Sequence, residues 1–350
     1  MDQETAKALF KEGACLLLQG VPEGTEFGMD WNSWSIGPKF EGVKMVPPGI
    51  HYVFYSAVSQ LDGHQAPRTG FFHDFKRQEI VVKRWLPESE ELLDQPKSAE
   101  EKQQIKMNLV NMDKNLAPYP YETLKKWISM SNHCTPHLVD KLSPECGIIT
   151  SVLEMFPSSG RSKDNIGKDG LPLLTVNPTT VIRFSKIPEL WYPEGAEAAE
   201  ITKHSMDSSY VMKAIISCYH DPMNLLGELQ FSFLCFILGQ VMDAFDHWKK
   251  LVRIICYCEN SLHDLQNFYL LLISVLYHQI VEIPSDFFVD ITSSNNFLIA
   301  ALSRLFSNID STDDTELKQR AVLFRKHLTK KLKWKFNHEP DDCKPVVVKT

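Results

Sequence analysis

Residues 50–58 read Ile-His-Tyr-Val-Phe-Tyr-Ser-Ala-Val. β-branched and aromatic side chains dominate this run, which suits a pleated strand better than a helix. Pro47-Pro48-Gly49 supplies a turn just before it. Downstream, Phe71–Phe75 and Glu79–Trp85 (EIVVKRW) repeat the pattern at short spacing. Upstream, Ala14–Leu18 is followed by Gly24, Gly28, Gly37-Pro38 and Gly42. Short strands with a turn signal about every 8–12 residues predict a β-sandwich or barrel over residues 1–95. Phe27, Trp31, Trp34, Phe40, Tyr52, Phe54 and Tyr55 are the candidates to fill it.

The pattern then changes period. Glu100–Asn115 is rich in Glu, Lys, Gln, Met and Leu, with Ile105, Leu109 and Met112 on one helical stripe. Pro118-Tyr119-Pro120 ends it, and Tyr121–Met130 restarts as a helix with Tyr121, Leu124 and Ile128 on one face. Residues 96–155 are therefore read as a helical segment attached to the first domain. Residues 156–175 contain SSGRSKDNIGKDG, a stretch nearly without apolar content, and are expected to be a flexible linker. Ser158, Ser159 and Ser162 lie there beside basic residues, as candidate phosphorylation sites.

From residue 176 to 338 the chain reads as an all-α domain. Leu226, Leu229, Phe233 and Ile237 recur at helical spacing, and Leu229–Gly239 is apolar nearly all round, as in a fully buried helix. Phe245, Trp248, Val252 and Ile255 mark the next helix, and Leu265, Tyr269, Leu272 and Leu276 another, over Leu262–Val281. Connections are short, which predicts antiparallel neighbours in a helical array. The last helix runs from about Asp314 to Phe336 on a stripe of Leu317, Ala321, Phe324, Leu328 and Leu332. Residues 316–335 hold eight basic residues against one acid. Residues 339–350 form an extended tail ending in Pro345-Val346-Val347-Val348-Lys349-Thr350.

The whole chain has 350 residues, 43% of them hydrophobic and 23% charged, so a sizeable core is affordable and general disorder is excluded. Its net charge of −7 argues against general binding to nucleic acid or a membrane surface. The apolar stretches near Phe231–Leu238 and Phe268–Val281 fall short of the roughly 18–20 residues of a membrane span. The acidic start Met1-Asp2-Gln3-Glu4 is unlike a secretory signal. Eight cysteines are too sparse for a disulfide framework and fit a reducing compartment.

Four constellations carry possible chemistry or binding. His133, Cys134, His137 and Cys146 are zinc-ligand types, but their spacing departs from the usual paired pattern, so side-chain packing is the preferred reading. Gly160–Lys168 has six residues between its glycines where a phosphate loop has four. His204, Ser205 and Asp207 are the residue types of a hydrolase triad, without the sharp turn that exposes a nucleophile, and helix capping is the preferred reading. Lys330, Lys331, Lys333 and Trp334 on the basic helix could meet an acidic partner, or RNA phosphates with one stacked base. No catalytic residue, cofactor or metal is expected.

The segments together resemble the Aar-two family, named for a1–alpha2 repression. The resemblance rests on Gly24–His51 (GTEFGMDWNSWSIGPKFEGVKMVPPGIH), Tyr119–Met130 (YPYETLKKWISM), Tyr192–Tyr210, Gly227–Gly239 (GELQFSFLCFILG), Ala244–Leu251, Glu282–Ile291, His327–Phe336 (HLTKKLKWKF) and Glu339–Val348. These are co-linear over nearly the whole chain, and residues 132–180 depart from the pattern. The resemblance implies an α+β multidomain protein, with a β-sandwich-like domain followed by an all-α domain. It implies a non-catalytic assembly factor of the U5 small nuclear ribonucleoprotein (snRNP) in pre-mRNA splicing. Its partners would be the U5 snRNP precursor and the large U5 scaffold protein, held at its RNase H-like and Jab/MPN domains, in competition with the U5 helicase and RNA. Cytoplasm and nucleus are the expected compartments. Pro345, Val346, Val347 and Val348 would add a strand to the scaffold, and Pro340 and Pro345 keep the approach extended. The alternatives are an RNA-binding splicing protein using the basic helix, although direct RNA binding is disfavoured, and a hydrolase centred on His204, Ser205 and Asp207.

Overall fold

The computed structural model describes residues 2–59, 63–95, 97–157, 174–219, 221–284, 297–334 and 336. The chain forms two compact units. The first comprises Met1–Ile128, Thr135–Arg183 and Leu238–Met242, and the second Ser129–Cys134, Phe184–Ile237 and Asp243–Thr350. The family-implied order of a β-sheet domain followed by a helical one stands.

In the first unit, α1 (Gln3–Glu12) precedes eight strands: β1 (Ala14–Gln19), β2 (Glu26–Met29), β3 (Asn32–Ser35), β4 (Gly42–Val46), β5 (Gly49–Ser56), β6 (Thr69–Phe75), β7 (Ile80–Leu86) and β8 (Glu91–Asp94). Helix α2 (Ala99–Met112), β9 (Leu116–Pro118), α3 (Leu124–Ser131), α4 (Pro136–Leu142) and β10 (Ile149–Thr150) follow. One sheet has the order β8-β7-β1-β4-β9 and the other β10-β6-β5-β2-β3. The helical reading of residues 96–155 is therefore corrected: that segment also supplies an edge strand to each sheet. The opening helix α1 was not expected either. It is capped by Asp2, whose carboxylate accepts the Thr5 N–H at 2.8 Å.

Strand β1 explains the layering. Its side chains alternate, so Ala14, Leu16 and Leu18 face one way and Cys15 and Leu17 the other. The first set joins Phe27, Val53, Tyr55, Phe71, Phe75 and Trp85 in the core between the sheets. The second joins Val82, Leu109 and Leu116, covered by Phe10 of α1 and Ile105 and Met112 of α2. Burial on both faces is why residues 14–18 read as an unbroken apolar run. Each large aliphatic side chain buried this way contributes about 1.5–3 kcal/mol. The register of β1 on β4 shifts between Ala14 and Leu16, next to Met45, which adopts φ 63°. Such a bulge sharpens the local twist.

The 3₁₀ turn Tyr121–Thr123 leads into α3. Its expected apolar face is corrected: Ile128 is exposed, while Trp127 is buried and donates its indole N–H to Ile50 O at 2.8 Å. Of the expected linker, residues 158–173 lie outside the described residues. Its ends do not behave as linker, because β11 (Met155–Pro157) pairs antiparallel with β12 (Leu174–Val176).

The second unit holds α5 (Ala198–Met206), α6 (Ser209–Ile216), α7 (Met223–Ile237), α8 (Met242–Cys256), α9 (Ser261–Asp264), α10 (Gln266–Ile280), α11 (Phe297–Asp310) and α12 (Thr315–Leu332). Helix α7 is buried from Leu225 to Phe236, as its all-round apolarity predicts. Helix α10 packs on α7 and α12, and α11 on α12. Trp248 of α8 sits among Phe233 and Phe245, with ring centroids 5.7 and 5.9 Å away, and donates to Gln279 Oε1 at 2.9 Å. The single helix expected over 262–281 is two, broken at Leu265 (φ −128°, ψ 41°). The last helix stops at Leu332, where Lys333 turns left-handed. Among the described residues no helix is long and apolar enough to cross a membrane.

Candidate interaction sites

The basic helix α12 buries Leu317, Ala321, Phe324 and Leu328 of the predicted stripe, while its fifth member, Leu332, is half-buried. Lys330, Lys331 and Lys333 are exposed. Trp334 is not. It is buried, with its ring 6.5 Å from that of Phe336, so its face is not open to a stacked base and its proposed contact role is corrected. Between α10 and α12 lies a groove of about 350 Å³, lined by Leu270, Ile273, Tyr277, Leu323, Phe324 and His327, with Arg320 on its rim. Leu323 is 63% exposed there. The His327 ring lies 4.5 Å from that of Tyr277, tilted by 51°, and its Nε2 is enclosed without a hydrogen-bond partner. Burial and then the charges of Lys331 and Lys330 push its pKa down, favouring the neutral ring.

The hydrolase residues do not assemble. Ser205 lies inside the last turn of α5, where its hydroxyl donates to Thr202 O at 2.6 Å, so it neither caps a helix nor faces a base. His204 packs its ring 5.3 Å from that of Tyr210. Asp207 is a local anchor. It accepts from the Ser209 N–H at 3.0 Å, the Ser209 hydroxyl at 2.6 Å, the Glu259 N–H at 3.0 Å and the Asn260 amide. Burial works to raise its pKa, but these donors outweigh it and hold the carboxyl below the usual range. Its oxygens are committed to fixing the start of α6 and the loop after α8.

The cysteines act mainly as small core groups. Cys15, Cys134, Cys235, Cys256 and Cys258 are buried, whereas Cys146 and Cys218 are exposed. Cys134 donates to Gly227 O at 3.6 Å, and burial pushes its thiol well up. His137 is exposed on α4. Among the described residues no three His, Cys, Asp or Glu converge as metal ligands. The glycines of 160–168, the serines Ser158, Ser159 and Ser162, and the tail residues Pro345, Val346, Val347 and Val348 lie outside the described residues.

Two buried polar networks were missed by sequence reasoning. In the first unit, Asp30 sits at the β2–β3 turn with φ 53°, which Asp tolerates better than most residues. Its Oδ2 accepts from His51 Nδ1 and the Tyr119 hydroxyl, each at 2.6 Å, and its Oδ1 accepts the Tyr52 N–H at 2.9 Å. The other ring nitrogen of His51 faces Pro47 O at 2.9 Å. Both ring nitrogens therefore have polar partners. Burial, then the charge and hydrogen bond of Asp30, drive the Tyr119 hydroxyl far above its ordinary range.

In the second unit, Glu228 is fully buried in the middle of α7. It accepts from the Tyr219 hydroxyl at 2.5 Å, the Ser185 N–H at 2.7 Å and His247 Nε2 at 3.0 Å. Burial raises its pKa, yet the hydrogen bond and charge of His247, followed by the bonds from Tyr219 and Ser185, hold it below the ordinary value. A charged residue inside an apolar helix was the sequence signal for this pin. Both networks read as fasteners between segments remote in sequence.

Two domain families match the chain, each falling mostly within one unit. The family described as "AAR2 N-terminal domain" matches residues 12–144, and that described as "AAR2 C-terminal repeat region" matches residues 184–337. The chain belongs to the AAR2 family. "Protein AAR2 homolog" from Homo sapiens is 44% identical over 370 residues, covering 99% of this chain and 96% of that protein. The Mus musculus homolog is 43% identical over the same coverage. The Caenorhabditis elegans homolog is 35% identical over 360 residues, covering 95% and 98%. The stretch between the two AAR2 matches, 145–183, falls largely within the part that fits the family pattern least in the sequence. Membership supports a role in U5 snRNP assembly and splicing at the level of the family.

Proposed function

We propose that this AAR2-family chain is a non-catalytic assembly factor that occupies surfaces of the large U5 scaffold protein, at its RNase H-like and Jab/MPN domains, and so delays the helicase and RNA. The observation that carries this reading is co-linear similarity to AAR2 proteins across both units. The dispersal of Ser205, His204 and Asp207 into separate structural bonds supports a binding role over hydrolysis. The valines at 346–348 would serve as an added strand, since main-chain groups of an unpaired segment can extend a sheet edge. Ordering each tail residue costs about 1–2 kcal/mol against about 1 kcal/mol per net hydrogen bond, so the folded units must supply most of the affinity. Such a protein would be found in both cytoplasm and nucleus.

Affinity purification of the intact chain from cell extract tests this. The expected result is stoichiometric recovery of the U5 scaffold without the helicase. Recovery of the chain without any U5 component would refute it. The RNA-binding reading keeps only the exposed lysines. It would show up as binding that weakens steeply with salt, by a slope of about −0.7 per phosphate neutralised on a single strand.

A further inference from the structure

We propose that the groove between α10 and α12 is a docking site for this chain's own tail, with Val346–Val348 seated on its apolar lining. Three observations converge on that occupant. First, the chain reverses where α12 ends. Lys333 is left-handed with φ 60°, Trp334 is buried, and the Phe336 ring lies 5.2 Å from that of Phe306. Phe306 in turn lies 5.9 Å from Phe324, a residue of the groove. Phe324 is about 12 Å back along the helix from Leu332, at about 1.5 Å per residue. Phe336, from which the tail continues, thus lies one ring away from Phe324 of the groove.

Second, reach is ample. The stretch from Phe336 to Val346 spans up to about 33–36 Å when extended. Tethering also holds the segment at an effective concentration in about the millimolar range, so a weak contact suffices. Third, the chemistry matches in order. Glu339, Asp341 and Asp342 come first in the tail, and Lys330 and Lys331 come first on the way back along α12. Both lysines are exposed and make no ion pair among the described residues. The valines follow the acids, as Leu323, Tyr277 and Ile273 follow the lysines. The tail is thus complementary to its own helix in sign and then in apolarity. The docking does not depend on the assembly-factor reading. Its consequence does: a seated tail is withheld from any partner that takes it as a strand.

The test places a photo-crosslinking benzoylphenylalanine at Leu323, whose exposure leaves room for it, in the full chain. The expected product has the mass of a single chain and joins position 323 to the 337–349 peptide. Val347→Asp should cut its yield by about fivefold, and so should high salt, which screens the acid–lysine contacts. A product joining two copies, a product on another segment, or a yield indifferent to Val347→Asp would overturn the proposal. In parallel, Leu323→Asp should strengthen capture of the U5 scaffold by about twofold or more, because the competent fraction rises. An intact crosslink with no scaffold captured by any variant would defeat the assembly-factor reading alone. Scaffold capture with no crosslink would defeat the docking alone.

Discussion

Asp30 shows how much one side chain can hold. Its two oxygens serve the Tyr52 N–H of β5, the ring of His51 and the hydroxyl of Tyr119, which follows α2 in the chain. Asp30→Ala would leave a buried imidazole, a hydroxyl and an N–H without their acceptor. Removing one partner of a buried pair costs about 3–5 kcal/mol, and that loss is expected in urea unfolding of the variant. Glu228 gives a pH signature. Its folded pKa lies below the ordinary 4.5, so its contribution is fully present above that value and fades as pH falls through the lowered one. Glu228→Gln should therefore flatten the acid limb of the stability profile of the helical unit, followed by circular dichroism on acidification. At this scale the sequence was least legible. Aspartate in a turn and glutamate in an apolar helix are visible as oddities, but their partners lie 89 and 19 residues away, and no local pattern names them.

Elements were far easier to read. The stripes of α2, α7, α8 and α12 are the ones their spacing predicts, because each buries one face or, in α7, the whole circumference. The misses have separate causes. In α3 the face was chosen by apolarity, yet Trp127 won burial because its indole N–H also finds Ile50 O, and Ile128 was left outside. At Leu265 the apolar period runs on, but the backbone breaks and starts a new helix. Strands of two or three residues such as β9 and β10 are too short to carry a period at all. Gly42 is an element-level constraint that a sequence shows only as a glycine. It holds φ 138°, and a Cβ there would stand 2.0 Å from Leu16 O. Gly42→Ala should cost about 1–3 kcal/mol by forcing β4 away from β1, readable as a lowered unfolding midpoint without loss of the denaturant slope.

For the whole molecule, the sequence announced two regimes, period two and then period 3.6, and the structure has both. The family match is also legible only at this scale, because it spans both units. Deleting Pro345–Thr350 should leave the helical and sheet signals unchanged and weaken scaffold binding in titration calorimetry. Equal affinity of the two forms would remove the tail from the mechanism.

The position of β1 in its sheet bears on how the protein is made. It pairs in parallel with β7, whose Ile80 emerges 61 residues after Gln19. At about 5–20 residues per second this leaves the β7 side of an apolar ribbon unpaired for about 3–12 s, even though β4 emerges earlier to pair with its other side. During translation that ribbon is the natural client of a holding chaperone, and cells short of one should lose this protein to aggregation before it ever meets a partner.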